Sequence, residues 1–311
     1  MEILLVGLRF VQYMAVMILF GSSLFPYYAL AGNGSTRARN ANIAAFIQRA
    51  AFYASLAALL SAIGWLGCEA VLMSGDPNGY REGATLWTVL NDTEFGGIWR
   101  WRLLLLLLLP IYLAWRLLTH RTPLVWPVLV SGIFLVASLA GVGHGAMGLG
   151  FSEWTHLGNQ ALHLLAAAVW VGGLLSLFHA IRYIRDAELG AEVQRRVLAR
   201  FSLVGFIAVL LIVASGLLNS WFLVGSFAAL FNTTYGQVLM VKIACFLFMV
   251  ALALYNRLFL MPRLAAGTDD GETSLRLLLR SIAAEQIFAI LVVASVSLLG
   301  TLPPAMDRMV M

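Results

Sequence analysis

Charged side chains are scarce in this chain: Lys, Arg, Asp and Glu together make up only 11% of its 311 residues. A soluble domain carries about a quarter, because its surface has to interact with water. Hydrophobic residues account for 61%, and the mean hydropathy is +0.88. The composition therefore excludes an ordinary soluble globular protein and indicates a surface that is suited to lipid.

Cysteine is almost absent as well. Cys68 and Cys245 are the only two, and both lie within apolar runs, which excludes a disulfide framework and a CxxC metal motif. The sequence also has no phosphate-binding loop, no GxSxG elbow and no HExxH pair. We therefore expect neither a hydrolase nor an ATP-driven pump, and we predict that the protein is not an enzyme.

Long apolar runs fill most of the chain. A helix needs about 20 apolar residues to cross the hydrocarbon core of a bilayer, which is about 30 Å thick. The sequence predicts an all-α, polytopic transmembrane bundle of about eight helices, with no soluble domain between them. The predicted spans are residues 4–30, 50–74, 101–119, 124–142, 157–180, 203–224, 238–260 and 282–302.

Most basic residues fall in the loops after the first, third, fifth and seventh predicted spans, whereas the loop at 75–98 is mainly acidic. Basic loops stay in the cytoplasm, so this pattern predicts that both termini are periplasmic. Because topology accounts for the net charge of +5, we expect no nucleic-acid partner. Arg100 and Arg102 are exceptions, and we expect them to extend toward the outer interface beside Trp99 and Trp101.

Three of the five histidines cluster around the loop between the fourth and fifth predicted spans. His156 and His163 are seven residues apart, so they share one helix face with Gln160. His144 lies just upstream in a glycine-rich turn, together with Met147. Antiparallel helices that are joined by a short loop pack side by side near that loop, and we expect these side chains to approach one another.

Imidazole and thioether groups together suit copper, because thioether selects Cu(I) and imidazole accepts Cu(I) or Cu(II). The sequence therefore predicts copper as the bound ion, with His144, His163, Met147 and His156 as its ligands. The alternative for the histidines is a structural hydrogen bond between helices, although polar groups at membrane depth usually serve function.

The other polar residues in or at the edge of the spans either pair with one another or line an ion path, and pairing is the favoured interpretation. These residues are Arg9, Asn219, Lys242, Glu285 and Gln286.

Several stretches resemble the copper resistance protein D (CopD) family, in the family's order. They are GHGA at 143–146, ALHLLAAAVWVGGL at 161–174, SGLLNSW at 215–221, YGQVLMVK at 235–242 and LGTLPP at 299–304. The resemblance covers 141–305, whereas 1–140 resembles the family mainly in the number and direction of its helices. We predict N-terminal helices at 1–140, a CopD-like domain at 141–305 and a Met-rich periplasmic tail at 306–311.

The resemblance implies a multi-pass protein of the bacterial inner membrane that moves copper from the periplasm to the cytoplasm. It also implies a periplasmic copper-binding partner similar to CopC, since no such β domain is fused to this chain. Family members often have a His where Gln12 stands, which removes one candidate ligand here.

Two other functions stay open at this point. A b-type haem with His163 and His144 as axial ligands would make the protein a membrane redox protein. A membrane assembly factor that transports nothing is the second. Copper transport is favoured over haem because a haem within the bilayer needs both ligands at depth, and His144 lies close to the surface.

Overall fold

A computed structural model describes residues 1–30, 41–121, 125–142, 151–187, 190–224, 227–266 and 271–303. Within these ranges the chain forms eleven α-helices and no β-strand. The helices are α1 Glu2–Ala29, α2 Ala41–Ser74, α3 Gly83–Asp92, α4 Glu94–Leu118, α5 Val125–Ala137, α6 Phe151–Asp186, α7 Ala191–Val224, α8 Phe227–Asn232, α9 Thr234–Tyr255, α10 Met261–Ala266 and α11 Gly271–Leu299.

Seven of the described helical segments are long and apolar enough to cross a membrane. They include α1, α2, α4, α6, α7, α11 and the segment Thr234–Leu264, in which a π-helical turn joins α9 to α10. A shorter apolar segment, Trp126–Val142, consists of most of α5 and a 3₁₀ turn. The prediction of a helical membrane bundle of about eight spans is therefore confirmed.

Helix α1 lies at the centre of the bundle, where it packs against α2, α5, α6 and α11. One part of the apolar core lies among α1, α2, α4 and α5, around Trp65 and Trp99. The other part lies among α6, α7, α9 and α11. The two parts meet along α1 and α6, so these two helices connect the halves of the molecule.

Glycine allows α1 and α6 to approach each other closely. A Cβ added at Gly21 would lie 2.7 Å from the Cα of Gly172, and one added at Gly172 would overlap the carbonyl of Met17. Ser22 Oγ donates a hydrogen bond of 3.1 Å to the Gly172 carbonyl at the same crossing. Small residues commonly permit such backbone contact between membrane helices.

The leucine run of α4 shows which side of that helix faces lipid. Leu106 and Leu109 are buried, whereas Leu104, Leu107 and Leu108 are exposed. Exposed leucines on a membrane-spanning helix contact hydrocarbon, which needs no polar surface. The helix continues through Pro110 to its end at Leu118.

The expectation that Arg102 extends toward the interface is wrong, because its side chain is fully buried. Nη1 donates to the Leu135 carbonyl and to Ser138 Oγ, both at 2.5 Å, where α5 changes into its 3₁₀ turn. The change of helix type frees carbonyl groups that a cation can satisfy. With the Gln12 amide oriented to match its neighbours, its oxygen accepts from Arg102 Nη2 at 2.7 Å. Gln12 therefore serves as a hydrogen-bond acceptor for the buried Arg102.

The basic residues that the structure describes after α4 and at the end of α6, Arg121, Arg182 and Arg185, lie at one end of the bundle, which we call the basic end. Asn42 Nδ2 donates to Tyr183 Oη at 3.0 Å, which joins the start of α2 to the end of α6. Gln48 Nε2 donates to the Arg121 carbonyl at 3.3 Å, which joins α2 to the residues that follow α4. The basic end therefore unites loops that the sequence assigns to one side, and their assignment to the cytoplasm stays a prediction.

Candidate metal and ligand site

A polar cavity of about 100 Å³ lies in the half of the bundle opposite the basic end. It is enclosed by α1, α6, α7, α9, the end of α11 and the 3₁₀ turn after α5. Helix α6 contributes His156, Gln160 and His163, which recur at one helical face as their spacing predicts. The predicted shared face is therefore confirmed, and it points into the cavity.

His163 is hydrogen-bonded to its neighbour on α7. Ser215 Oγ lies 2.9 Å from His163 Nδ1, and its single hydrogen is donated to the Leu211 carbonyl at 2.5 Å. In the tautomer that matches this pair of bonds, Ser215 Oγ accepts from the imidazole and Nδ1 carries the proton. Nε2 then keeps its lone pair, which is the form in which a neutral imidazole binds a metal.

Amide side chains join α6 to α7 beside this histidine. Asn159 Nδ2 donates to the Ser215 carbonyl at 2.9 Å and to Asn219 Oδ1 at 2.8 Å. Asn219 Nδ2 in turn donates to Gln160 Oε1 at 2.7 Å. The expectation that Asn219 pairs is confirmed. Asn159 and Ser215 were not predicted, although Ser215 and Asn219 lie four residues apart on one face of α7.

Two of the four predicted ligands are described by the structure. His156 is buried and His163 half-buried, both at the cavity, whereas His144 and Met147 lie outside the described residues. Among the described ranges, no three His, Cys, Asp or Glu side chains are close enough to hold a metal ion together. His179 lies near the basic end, stacked on Phe46 with ring centroids 3.8 Å apart.

Two cationic side chains also line the cavity. Arg9 is only 5% exposed, and Lys242 enters from α9. The expectation that these residues pair is wrong for both, since neither forms an ion pair or hydrogen bond within the described residues. The expectation holds for Glu285 and Gln286, which accept from Asn256 and donate to the Leu174 carbonyl respectively.

Two further cavities continue from the polar one toward the basic end. An apolar cavity of about 300 Å³ shares His163 and Lys242 with the polar cavity and is also lined by Met249. An inner cavity of about 210 Å³ shares Trp170 with the apolar one and is lined by Glu285. The three cavities therefore lie at successive levels of the bundle between α6, α7, α9 and α11.

Comparison with known proteins agrees with these features. Residues 1–154 match the family described as copper resistance protein D-like, N-terminal domain, and residues 195–299 match copper resistance protein D. Inner membrane protein YebZ of Escherichia coli (strain K12) is 30% identical over 301 residues, which cover 96% of this chain and 98% of that protein. No solved structure is similar at a significant level.

Two relatives carry copper in their names. Copper resistance protein D of Pseudomonas syringae pv. tomato is 32% identical over 306 residues, which cover 97% of each chain. Copper transport protein CutJ of Bacillus subtilis (strain 168) is 34% identical over 145 residues, which cover 46% of this chain and 24% of that protein.

The fold and these relatives define a multi-pass protein of the inner membrane. The chain belongs to the copper resistance protein D family. The division at 140/141 into an N-terminal part and a CopD-like domain stays a prediction.

Proposed function

We propose that this protein handles copper in the inner membrane and moves it from the periplasmic side toward the cytoplasm, using His144, Met147, His156 and His163 as ligands. The observation that carries the proposal is that His163 and His156 line one polar cavity, where His163 Nδ1 is bonded to Ser215 and Nε2 is left for a metal. The family and the names of its copper resistance and copper transport relatives support the choice of copper.

The spacing on α6 favours two successive sites over a single one. Seven residues of helix separate the Cα atoms of His156 and His163 by about 10 Å along the axis. This is too far for both imidazoles to bind one ion comfortably, and it agrees with the lack of a three-residue metal cluster in the described part of the chain. In our proposal, His156 receives copper with His144 and Met147, and His163 takes it deeper.

Beyond His163 the ion needs soft or anionic groups. Met249, whose side chain is buried, lines the apolar cavity next to His163. Met261 and Glu285 line the inner cavity. Thioether and carboxylate groups therefore follow the histidines in the direction of the basic end, which supports a route across the bundle.

A haem is less compatible with the described residues. The haem alternative has His163 and His144 as its axial ligands, and His144 lies outside the described residues. Axial ligands must approach the iron from opposite sides, so His156 and His163, which lie on the same face of the same helix, do not replace that pair. The other alternative is a membrane assembly factor that transports nothing, and such a protein would not require an unprotonated imidazole nitrogen in the cavity.

A periplasmic CopC-like protein is the proposed copper donor, acting at the end opposite the basic end.

Metal binding by matched variants tests the proposal. The detergent-purified protein is loaded with Cu(I) under reducing conditions, and bound copper and the visible spectrum are measured. We expect copper in the wild type, and an affinity at least about 10-fold lower in His163→Ala and His156→Ala, since each loses a ligand. His179→Ala is the control, because its imidazole lies outside the cavity.

The opposite results are equally clear. A Soret band in the wild type would support the haem protein instead. Copper binding that His163→Ala and His156→Ala both leave unchanged would overturn the ligand assignment.

A further inference from the structure

The polar cavity is cationic. Arg9 and Lys242 both line it, and none of the described residues around it is Asp or Glu. The phenol groups of Tyr13 and Tyr235 are neutral at pH 7. Positive charges in a low-dielectric interior are costly unless an opposite charge or hydrogen-bond acceptors satisfy them. Among its described lining residues, the cavity therefore lacks the counter-charge that two cations require.

Arg9 is fixed in place by the residues around it. Its guanidinium carbon lies 4.7 Å from the centre of the Trp65 ring. On another side it covers Gly300, where an added Cβ would lie 2.5 Å from that carbon. Only glycine leaves room at this position, so the end of α11 accommodates the guanidinium. Arg9 is therefore held at the cavity and does not extend to the membrane surface.

Nothing in the described structure satisfies the Arg9 guanidinium. Its Nε is buried without a hydrogen-bond partner, and none of its nitrogens donates to a described acceptor. Arg102 provides the contrast within the same bundle. It is buried as completely, but Leu135, Ser138 and Gln12 supply it with acceptors. Arg102 Nε is also without a partner, but neutral protein acceptors satisfy its two terminal nitrogens, whereas no described acceptor does so for Arg9.

Lys242 presents a second positive charge from α9. It lines the polar cavity together with Arg9 and also the apolar cavity below. Its ammonium group has no ion pair or hydrogen bond among the described residues. Two cations on different helices, neither of which pairs with a described residue, therefore line one small cavity, which is an arrangement for holding an anion between them.

We propose that the polar cavity binds a small monovalent anion, a halide or a small carboxylate, between Arg9 and Lys242. The volume of about 100 Å³ limits the ligand to this size. The anion lowers the positive potential around His163, so that a copper ion can approach the imidazole. Binding of the anion does not require copper, and the inference therefore stands or falls separately from the proposed copper function.

Thermal unfolding of the purified protein in different salts tests the inference. A ligand that binds the native state raises the unfolding temperature, and one that cannot enter does not. The copper-free protein is unfolded in sodium chloride, bromide, acetate or gluconate at one fixed ionic strength. Gluconate is the reference because it is too bulky for the cavity. We expect at least one of chloride, bromide and acetate to raise the midpoint of thermal unfolding by roughly 3 °C or more above its value in gluconate.

Variants assign the effect to the cavity. Arg9→Gln and Lys242→Gln should each lose the anion-dependent rise. Arg100→Gln, which loses an exposed charge bonded to Asn91, should keep the full rise.

Two results would overturn the inference. One is a wild type that unfolds at the same temperature in all four salts. The other is a rise that persists in both cavity variants, which would place the anion elsewhere. Copper binding is measured on the same samples, so loss of the anion effect with copper binding intact removes this inference alone.

Discussion

At the scale of single residues, the orientation of the proposed ligand His163 depends on the hydroxyl group of Ser215, which would not itself contact the metal. Ser215 accepts from His163 Nδ1 and donates to Leu211 within α7. This arrangement orients the ring and matches a proton on Nδ1. Partners of this kind typically change metal affinity by about 10- to 100-fold when they are removed.

The first prediction concerns this serine. We expect Ser215→Ala to weaken copper binding roughly 10- to 100-fold, because the imidazole loses the acceptor that fixes its protonated nitrogen. Ser215→Thr keeps the hydroxyl and should bind within a few-fold of the wild type. Copper affinity is measured by competition with a chromogenic chelator.

Ser295→Ala is the matched control. Ser295 makes the same bond to the carbonyl four residues earlier, here Leu291, but has no histidine partner. Equal affinities for Ser215→Ala, Ser295→Ala and the wild type would show that the contact between Ser215 and His163 does not matter for the site.

The sequence predicts part of this cavity and misses the rest for a physical reason. Helical periodicity alone places His156, Gln160 and His163 on one face. The contribution of Ser215 depends on how α7 is rotated against α6, which no local pattern encodes. The unpaired state of Arg9 likewise depends on which neighbours surround it after folding. Pairing is the usual outcome for such a residue, and no sequence pattern distinguishes Arg9 from Arg102, which does find acceptors.

At the scale of helices, the crossing of α1 and α6 determines where the cavity walls lie. Arg9 and Tyr13 on α1 face His156 and His163 on α6 across the cavity. The crossing itself lies further along both helices, at Gly21 and Gly172. A larger side chain at Gly21 or Gly172 would separate the two helices and change the distance across the cavity.

The second prediction follows from this crossing. Gly21→Ala should destabilise the protein by about 1–3 kcal/mol or more, because the new methyl group meets the Gly172 backbone, which cannot move aside as a side chain can. Gly7→Ala on the same helix should be neutral or stabilising by up to about 1 kcal/mol, since nothing lies within 4 Å of its added Cβ.

Thermal unfolding in one detergent measures both glycine variants. The outcome that contradicts this account is a Gly21→Ala protein as stable as Gly7→Ala, because the backbones would then not be in contact.

The sequence predicts the positions of the membrane-spanning helices wherever hydrophobicity determines them. All eight predicted spans fall on apolar helical segments. The helices extend further at the basic end, since α2, α6 and α7 have 34–36 residues and are therefore about 50 Å long, more than the bilayer core. Hydrophobicity does not mark those extensions, because they lie outside the lipid. It also does not show the 3₁₀ turn that draws Arg102 inward.

At the scale of the whole molecule, charge distinguishes the two ends. The basic end carries Arg121, Arg182 and the loop residues next to them, and the opposite end carries the acidic segment at 75–94. The positive-inside rule places the basic end in the cytoplasm. The polar cavity with His156 and His163 then opens toward the periplasm, where a copper-donating partner would act.

The third prediction is this orientation. Asn78→Cys and Glu192→Cys each place one exposed thiol at opposite ends of the bundle, while the native Cys68 and Cys245 are buried. We expect a membrane-impermeant maleimide to label Cys at position 78 in intact spheroplasts, and at position 192 only after the membrane is permeabilised. The reverse pattern would invert the topology and the proposed direction of copper movement.

The fourth prediction concerns the route through the three successive cavities. Glu285 is buried in the inner cavity and accepts a hydrogen bond of 2.7 Å from Asn256. Ionisable groups inside a membrane protein commonly mark an ion path. Glu285→Gln keeps an acceptor for Asn256 and therefore the fold, but it removes the ionisable carboxyl group. We expect copper binding near His163 to be unchanged, and copper entry into proteoliposomes to fall at least about 10-fold.

Glu272→Gln on the same helix is the control, since Glu272 is exposed at the start of α11 and pairs with Arg276 at the surface. It should transport copper like the wild type. If Glu285→Gln also transports copper like the wild type, copper does not pass the inner cavity as proposed. If the wild type binds copper but none of the proteins admits it to the vesicles, His156 and His163 serve capture alone. The separation of binding from entry is decisive because the histidines and the carboxyl group lie in different cavities at opposite halves of the bundle.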